Sequence, residues 1–238
     1  MGGLPVIYSF LMIGQSNMAG RGFPKDVEPI SFENLWVLRS GLWRPCAVPV
    51  NPDRPFSGVS LAESFARRCA DLHGVEVGLI PCADGGTCLE QWMPGQPLYD
   101  HAVMQAGLAM CSSRLAGVLW HQGESDCQNP AGYGEALLSM LNSLRRELGD
   151  PELPVVLGGL GAYLAENPGY ERFGEINGAL EKTARRGGNM AYVSAEGLTS
   201  NPDRLHFNGP SLRILGLRYE EAYEGLNHPA FRDIPGGV

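Results

Sequence analysis

VIYSFLMI at residues 6–13 runs directly into GQSNMAG at 14–20, and this junction decides the fold. The apolar run is too short to span a bilayer, and it lacks the basic flank and small-residue cleavage site of a signal peptide. It reads as a buried strand that stops at a glycine and hands the chain to polar residues. The same signature recurs at 75–81, 117–120, 154–159 and 190–194, each run followed by Gly-rich or polar sequence. Between these runs lie stretches of three-and-four apolar spacing. Ser60 and Glu63 form a capping box for a helix that Gly74 would end, with Leu61, Phe65, Cys69 and Leu72 on one face. Residues 98–115, 132–148, 170–186 and 211–226 show similar spacing, weakened by glycines at 107, 134, 174 and 178. The alternation predicts an α/β fold with five βα repeats, a parallel sheet flanked by helices in one domain over 1–238.

Composition narrows the functional classes. Among 238 residues, 44% are hydrophobic and 18% charged, and 32 Gly with 18 Pro stay below the range of disordered or collagen-like chains. The formal charge is −8 and Lys and Arg are nowhere concentrated, so neither nucleic acid nor an anionic membrane finds an electrostatic footprint. Six cysteines, at 46, 69, 82, 88, 111 and 127, lack CxxC or other zinc-like spacing and are too few for a disulfide scaffold. They are expected as reduced thiols, most of them buried. No targeting segment is recognisable, which points to a cytoplasmic protein or to a secreted one trimmed of its leader. Residues 20–58 are rich in Pro, Gly, Asp and aromatics without periodicity and are expected to form part of a site wall. Asn-Pro-Asp-Arg occurs at 51–54 and again at 201–204, where turn chemistry alone accounts for it.

In open α/β sheets ligands bind outside the carboxyl ends of the strands. The residues there are Gly14-Gln15-Ser16-Asn17-Met18, Asp84-Gly85-Gly86-Thr87, His121-Gln122-Gly123-Glu124-Ser125-Asp126 and, after the fifth strand, Asp203-Arg204-Leu205-His206. Ser16 stands where a nucleophile should, two residues after a glycine that permits a sharp turn; the bland alternative is a helix N-cap. A serine hydroxyl needs a base and a group that orients that base. His206 and Asp203 can supply both, since a spacing of three lets one turn bring both side chains together; otherwise they are a turn and a surface histidine. Gly85, Gly86 and Gln122 are candidate donors to a developing oxyanion. The missing second glycine of a G-x-S-x-G elbow disfavours an ordinary α/β-hydrolase.

GQSNMAG, DGGT, WHQGESD and DRLH, in this order over residues 14–206, resemble the SGNH hydrolases. More closely they are similar to carbohydrate acetylesterases of the sialate O-acetylesterase and acetylxylan esterase kind. That resemblance implies a three-layer αβα sandwich with a five-stranded parallel sheet, a flavodoxin-like fold. It implies Ser16 as nucleophile, His206 as base and Asp203 as its orienting carboxylate. The oxyanion hole would be formed by the Ser16 and Gly86 backbones and the Gln122 side chain, Gln122 standing where many wider relatives have Asn. Gly85 and Glu124 are expected behind this set, Glu124 positioning Gln122 or neighbouring loops.

Other readings of the same residues are weaker. His121 rivals His206 as base, but it directly follows a strand and suits a structural or substrate-facing role. His73, His101 and His228 carry no motif. His121-x-x-Glu124 and Asp203-x-x-His206 could contribute metal ligands, yet no HExxH or multi-His cluster supports a metal site. Glycines at 158, 159 and 161 fall short of a dinucleotide fingerprint. No metal and no organic cofactor is therefore expected. Of four tryptophans, Trp120 is expected inside, whereas Trp92, in a Pro- and Gly-rich loop past Gly86, is the candidate sugar platform. The sequence thus predicts a serine esterase that removes O-acetyl groups from a carbohydrate. A catalytically silent carbohydrate-binding or interaction domain, and a lipase or thioesterase on the same scaffold, are the alternatives.

Overall fold

The computed structural model describes residues 6–227 and 230. Its seven-stranded sheet has the order β3-β2-β4-β1-β5-β6-β7, built from β1 (Ile7–Gly14), β2 (Leu35–Arg39), β3 (Leu42–Pro45), β4 (Glu76–Pro81), β5 (Ser113–His121), β6 (Val155–Gly158) and β7 (Met190–Val193). All pairings are parallel except that of β3, which lies antiparallel on β2. The junction at 6–20 sits in the middle, β1 being flanked by β4 and β5.

Alternation along β1 sends Phe10 and Met12 into one core and Leu11 and Ile13 into the other. Helices α2 (Ala62–His73) and α6 (Gly209–Glu224) cover the first face through Phe65, Cys69, Leu212 and Tyr219. Helices α3 (Pro97–Met110), α4 (Tyr133–Glu147) and α5 (Phe173–Arg186) cover the second through Tyr99, Leu137 and Leu180. The short α1 (Ser16–Ala19) joins the first layer through Met18. Three layers follow because every central strand carries apolar side chains on both faces.

The five expected strands are all present, and their order among themselves is the flavodoxin-like one. The expected sheet of five is too small, because residues 35–45, read as irregular, form the β2–β3 hairpin. That hairpin is short: β2 carries a brief, mostly buried apolar run at 35–38, but β3 is largely exposed, and the pair lies inside a Pro- and Gly-rich stretch without alternation. The helix expected over 98–115 ends at Met110, and β5 begins at Ser113. Leu72, placed on the apolar face of α2, is half exposed, while Leu61, Phe65 and Cys69 are buried. All six cysteines are free, and four of them are buried.

Candidate active site

Strand register brings the loops together. Gly14 pairs with His121, the Gln15 N–H donates to the His121 carbonyl at 2.9 Å, and the Asp84 N–H donates to the Gly14 carbonyl at 3.0 Å. Three loops therefore leave the sheet at one level. Gly14 has φ +127°, and a Cβ there would lie 2.1 Å from the His121 carbonyl oxygen, so only glycine lets β1 turn this close to β5.

The chain then enters α1 with Gln15 in extended conformation and Ser16 as first helical residue. The Ser16 hydroxyl caps no backbone group and instead meets His206 Nε2 at 3.0 Å. His206 Nδ1 lies 2.7 Å from Asp203 Oδ2, while the other oxygen, Oδ1, accepts from the Leu205 and His206 N–H groups at 2.9 and 3.0 Å. Arg204 makes this possible with φ +54°, a left-handed turn that costs a non-glycine residue about 1–2 kcal/mol. Burial pushes the Asp203 carboxyl up, but the two backbone donors and the imidazole more than offset it, so the group lies below the usual carboxylate range. A stable carboxylate at Nδ1 leaves Nε2 as the ring's acceptor toward Ser16.

Asn17 locks the other side of this line. Its Oδ1 accepts from the Phe207 N–H at 3.0 Å, and its Nδ2 donates to the Leu205 carbonyl at 3.3 Å and to Glu124 Oε1 at 2.5 Å. One side chain thus grips both neighbours of His206. Glu124, expected to position Gln122 or nearby loops, acts on the His206 loop by way of Asn17. Complete burial raises its carboxyl to about 7. His121 is also fully buried, its Nδ1 3.0 Å from the Tyr219 hydroxyl, and burial lowers its pKa to about 3. It faces the core and not a substrate.

The opposite wall is built by residues 20–58. Arg21 and Asp53 form a buried two-point pair at 2.9 and 2.7 Å, and Asp53 Oδ2 also accepts from the Gly85 N–H at 2.9 Å. A Cβ at Gly85 would lie 2.6 Å from the Arg21 guanidinium and 3.4 Å from the Ser16 Cβ. Arg54 bonds the Asp84 carboxylate at 2.7 Å and the Gly85 carbonyl at 3.0 Å. The turn is held at three points before it reaches Gly86, which has φ +81° and open space where a Cβ would stand. The N–H groups of Ser16 and Gly86 have no acceptor among the described residues.

Two expected site residues lie elsewhere than anticipated. Gln122 is 0% exposed, and its amide faces Asp126 Oδ2 at 2.6 Å, the Thr87 carbonyl at 3.0 Å and Gln15 Oε1 at 3.1 Å, with Tyr133 donating to its Oε1. Three acceptors for two protons leave no donor for a ligand, so the side chain braces the loops and does not line the cleft. Trp92 is 1% exposed, stands edge-on to Trp120 with centroids 5.8 Å apart, and donates its indole N–H to Thr87 Oγ1 at 3.0 Å. A ring covered on both faces offers no platform to a sugar. Trp120 is inside, as its strand position predicts. His73 meets Glu224 at 2.8 Å, and His228 lies outside the described residues.

Asn17, Gln15, Arg21 and Asp53 are the site residues the motifs did not single out. The first two were inside the decisive string, and the charged pair was visible as isolated charges in an aperiodic, Pro- and Gly-rich wall. Among the described residues no three His, Cys, Asp or Glu side chains converge to hold a metal ion.

Comparison with known proteins bears on the same span. A family model described as carbohydrate esterase, sialic acid-specific acetylesterase, matches residues 7–225. A probable carbohydrate esterase from Arabidopsis thaliana is 29% identical, over 92% of this chain and 91% of that protein. An X-ray structure of an Arabidopsis thaliana protein superimposes with a TM-score of 0.81 at 26% identity, covering 93% of this chain and 99% of that one. A carbohydrate acetylesterase from Xanthomonas citri shares the fold, with a TM-score of 0.70 at 19% identity, over 92% of this chain and 56% of that one.

Proposed function

The chain belongs to the carbohydrate esterase family of sialic acid-specific acetylesterases, and from that premise we propose that it removes O-acetyl groups from a carbohydrate with Ser16 as nucleophile. The observation that carries the reading is the unbroken line from Ser16 Oγ through His206 to Asp203, at 3.0 and 2.7 Å.

The reaction follows from that line. Ser16 Oγ bonds to the acetyl carbonyl carbon while its proton passes to His206 Nε2, and Asp203 stabilises the imidazolium. The carbonyl oxygen becomes an oxyanion that the free Ser16 and Gly86 N–H groups are available to receive. The bond from carbon to the sugar oxygen breaks, and that oxygen takes the proton from Nε2. Water then gives a proton to Nε2 and its oxygen to the acetyl-serine carbon, acetate departs, and Ser16 recovers its proton. Gly86, unlike Gln122, has a donor to spare.

Ser16→Ala should lower kcat on p-nitrophenyl acetate by up to about 10⁶-fold, as in other serine triads. The direct check is mass spectrometry of the wild-type chain during turnover of p-nitrophenyl acetate. One acetyl group on the peptide carrying Ser16, absent in the variant, is the expected result. Near-normal hydrolysis by Ser16→Ala would overturn the assignment. A wild-type chain that releases acetate neither from p-nitrophenyl acetate nor from O-acetylated sialic acid or partially acetylated xylo-oligosaccharides would favour a silent binding domain. Octanoate esters cleaved faster than acetate would favour a lipase or thioesterase.

A further inference from the structure

Trp92 leaves the cleft without the aromatic face expected of it, and another ring stands at its rim. Phe56 is 69% exposed, far beyond the few per cent at which the core phenylalanines lie. Its ring lies 5.3 Å from the Arg21 guanidinium carbon, so one face rests on a cation. Arg21 is itself fixed by Asp53, and the far end of its guanidinium abuts Gly85 beside Ser16. The ring therefore sits on a rigid support one side chain away from the oxyanion turn.

The segment carrying Phe56 is equally fixed. The Ser57 N–H donates to the Arg54 carbonyl at 3.1 Å, closing a turn over residues 54–57, and the Ser57 hydroxyl donates to Asp53 at 2.7 Å. Within this turn Arg54 extends toward Asp84 and Gly85, and both charged side chains remain accessible, 40% and 35% exposed. An isolated exposed phenylalanine is common on protein surfaces and needs no explanation. This one is seated over Arg21, whose guanidinium abuts the Gly85 turn, and shares its own turn with Arg54. An aromatic face flanked by hydrogen-bonding groups is the chemistry that recognises a pyranose, whose C–H face is apolar and whose rim carries hydroxyls.

Building on the acetylesterase reading, we propose that Phe56, seated over Arg21 on the turn that also carries Arg54, forms a subsite that stacks a sugar ring of the substrate and so sets preference for saccharide over simple esters.

The experiment compares kcat/KM on partially acetylated xylo-oligosaccharides with that on p-nitrophenyl acetate, whose leaving group presents no pyranose. Phe56→Ala should reduce the ratio of the two by about 5- to 30-fold, chiefly through KM for the saccharide. Phe56→Trp should keep or raise the ratio, because a larger flat ring serves the same face. Met110→Ala, which removes an exposed apolar side chain at the last residue of α3, just before β5 begins, should leave the ratio at the wild-type value. Equal losses on both esters in Phe56→Ala would make the ring a cover for the Arg21–Asp53 pair and overturn the subsite. A ratio unchanged in Phe56→Ala would overturn it as well. A wild-type chain inactive on both esters would instead remove the esterase reading and the subsite with it, which separates the two failures.

Discussion

The tetrapeptide Asn-Pro-Asp-Arg at 51–54 and its copy at 201–204 both bond to Arg21 and are used differently there. In each, a buried asparagine anchors the turn. Asn51 exchanges two hydrogen bonds with the Ala83 backbone, and Asn201 donates to the Arg21 carbonyl at 2.9 Å. The aspartates then diverge. Asp53, with its side chain 4% exposed, is closed between a permanent cation and the Gly85 amide, whereas Asp203, 47% exposed, faces a histidine that can gain and lose a proton. The arginines diverge too: Arg204 turns left-handed to aim two amides at Asp203, while Arg54 reaches outward to brace Gly85. Identical turn chemistry becomes a closed ion pair in one place and an open aspartate–histidine contact in the other, because the partner that each aspartate meets differs. Both are tied to Arg21, through its carbonyl and through its guanidinium.

Substituting the two aspartates in parallel should separate these roles. The largest effect is expected at Asp203 if it orients His206 as proposed, where Asp203→Asn keeps the shape but favours the wrong imidazole tautomer. Its kcat on p-nitrophenyl acetate should fall by about 10⁴-fold, with thermal unfolding close to wild type. Retention of most activity would place the orienting group elsewhere.

At Asp53 the balance should invert. Asp53→Asn leaves the Arg21 charge buried without its counter-ion, and urea unfolding should report a loss of about 3–5 kcal/mol. Activity should fall by about 10²-fold or less, through displacement of the Gly85–Gly86 turn. The loss should depend on pH. Burial pushes the Asp53 carboxyl up, but bonds from Arg21, Ser57 and Gly85 hold it below its ordinary value of 3.8. Its stabilisation is therefore complete above 3.8 and disappears as pH falls through the lower folded value. The stability gap between wild type and Asp53→Asn should close in that acid window, and a gap that stays constant would mean the charge is not what matters.

The smallest effect concerns the support behind His206. Glu124→Gln keeps an oxygen for Asn17 while removing a carboxyl whose folded pKa is raised by burial from 4.5 to about 7. Below 4.5 that carboxyl is neutral in both folded and unfolded chains. As pH rises toward 7 the unfolded chain ionises first, which favours unfolding. The variant should thus match wild type near pH 4 and become the more stable of the two by pH 7, by less than the Asp53 loss. Unfolding curves at the two pH values check the sign, and a variant less stable at pH 7 would show that the ionised carboxylate is needed.

The order of strands and reactive loops was legible because it rests on local patterns. Apolar runs that end in glycine, and a capping box such as Ser60 and Glu63, declare themselves within a few residues. The β2–β3 hairpin escaped because the apolar run of β2 spans only residues 35–38 and its exposed edge partner β3 adds none. Ser16, Asp203 and His206 were singled out by the motif strings taken together, and the structure brings the three side chains into one hydrogen-bonded line.

Which acceptor each side chain serves was not legible. Gln122 looked like a donor to substrate until its amide met Gln15, 107 residues away, together with Asp126 and Thr87. Trp92 looked accessible in its loop until Trp120 covered it. By itself the sequence determined the periodicity, the α/β layering and the placing of the polar motif strings at the carboxyl ends of the strands, since these depend on spacing along the chain. Tertiary structure alone decided the two fates of Asn-Pro-Asp-Arg, the burial of Gln122 and Trp92, and the exposure of Phe56. The reason is physical: a buried polar group must find its partner, and that partner arrives on an element far away in sequence, brought there by strand register.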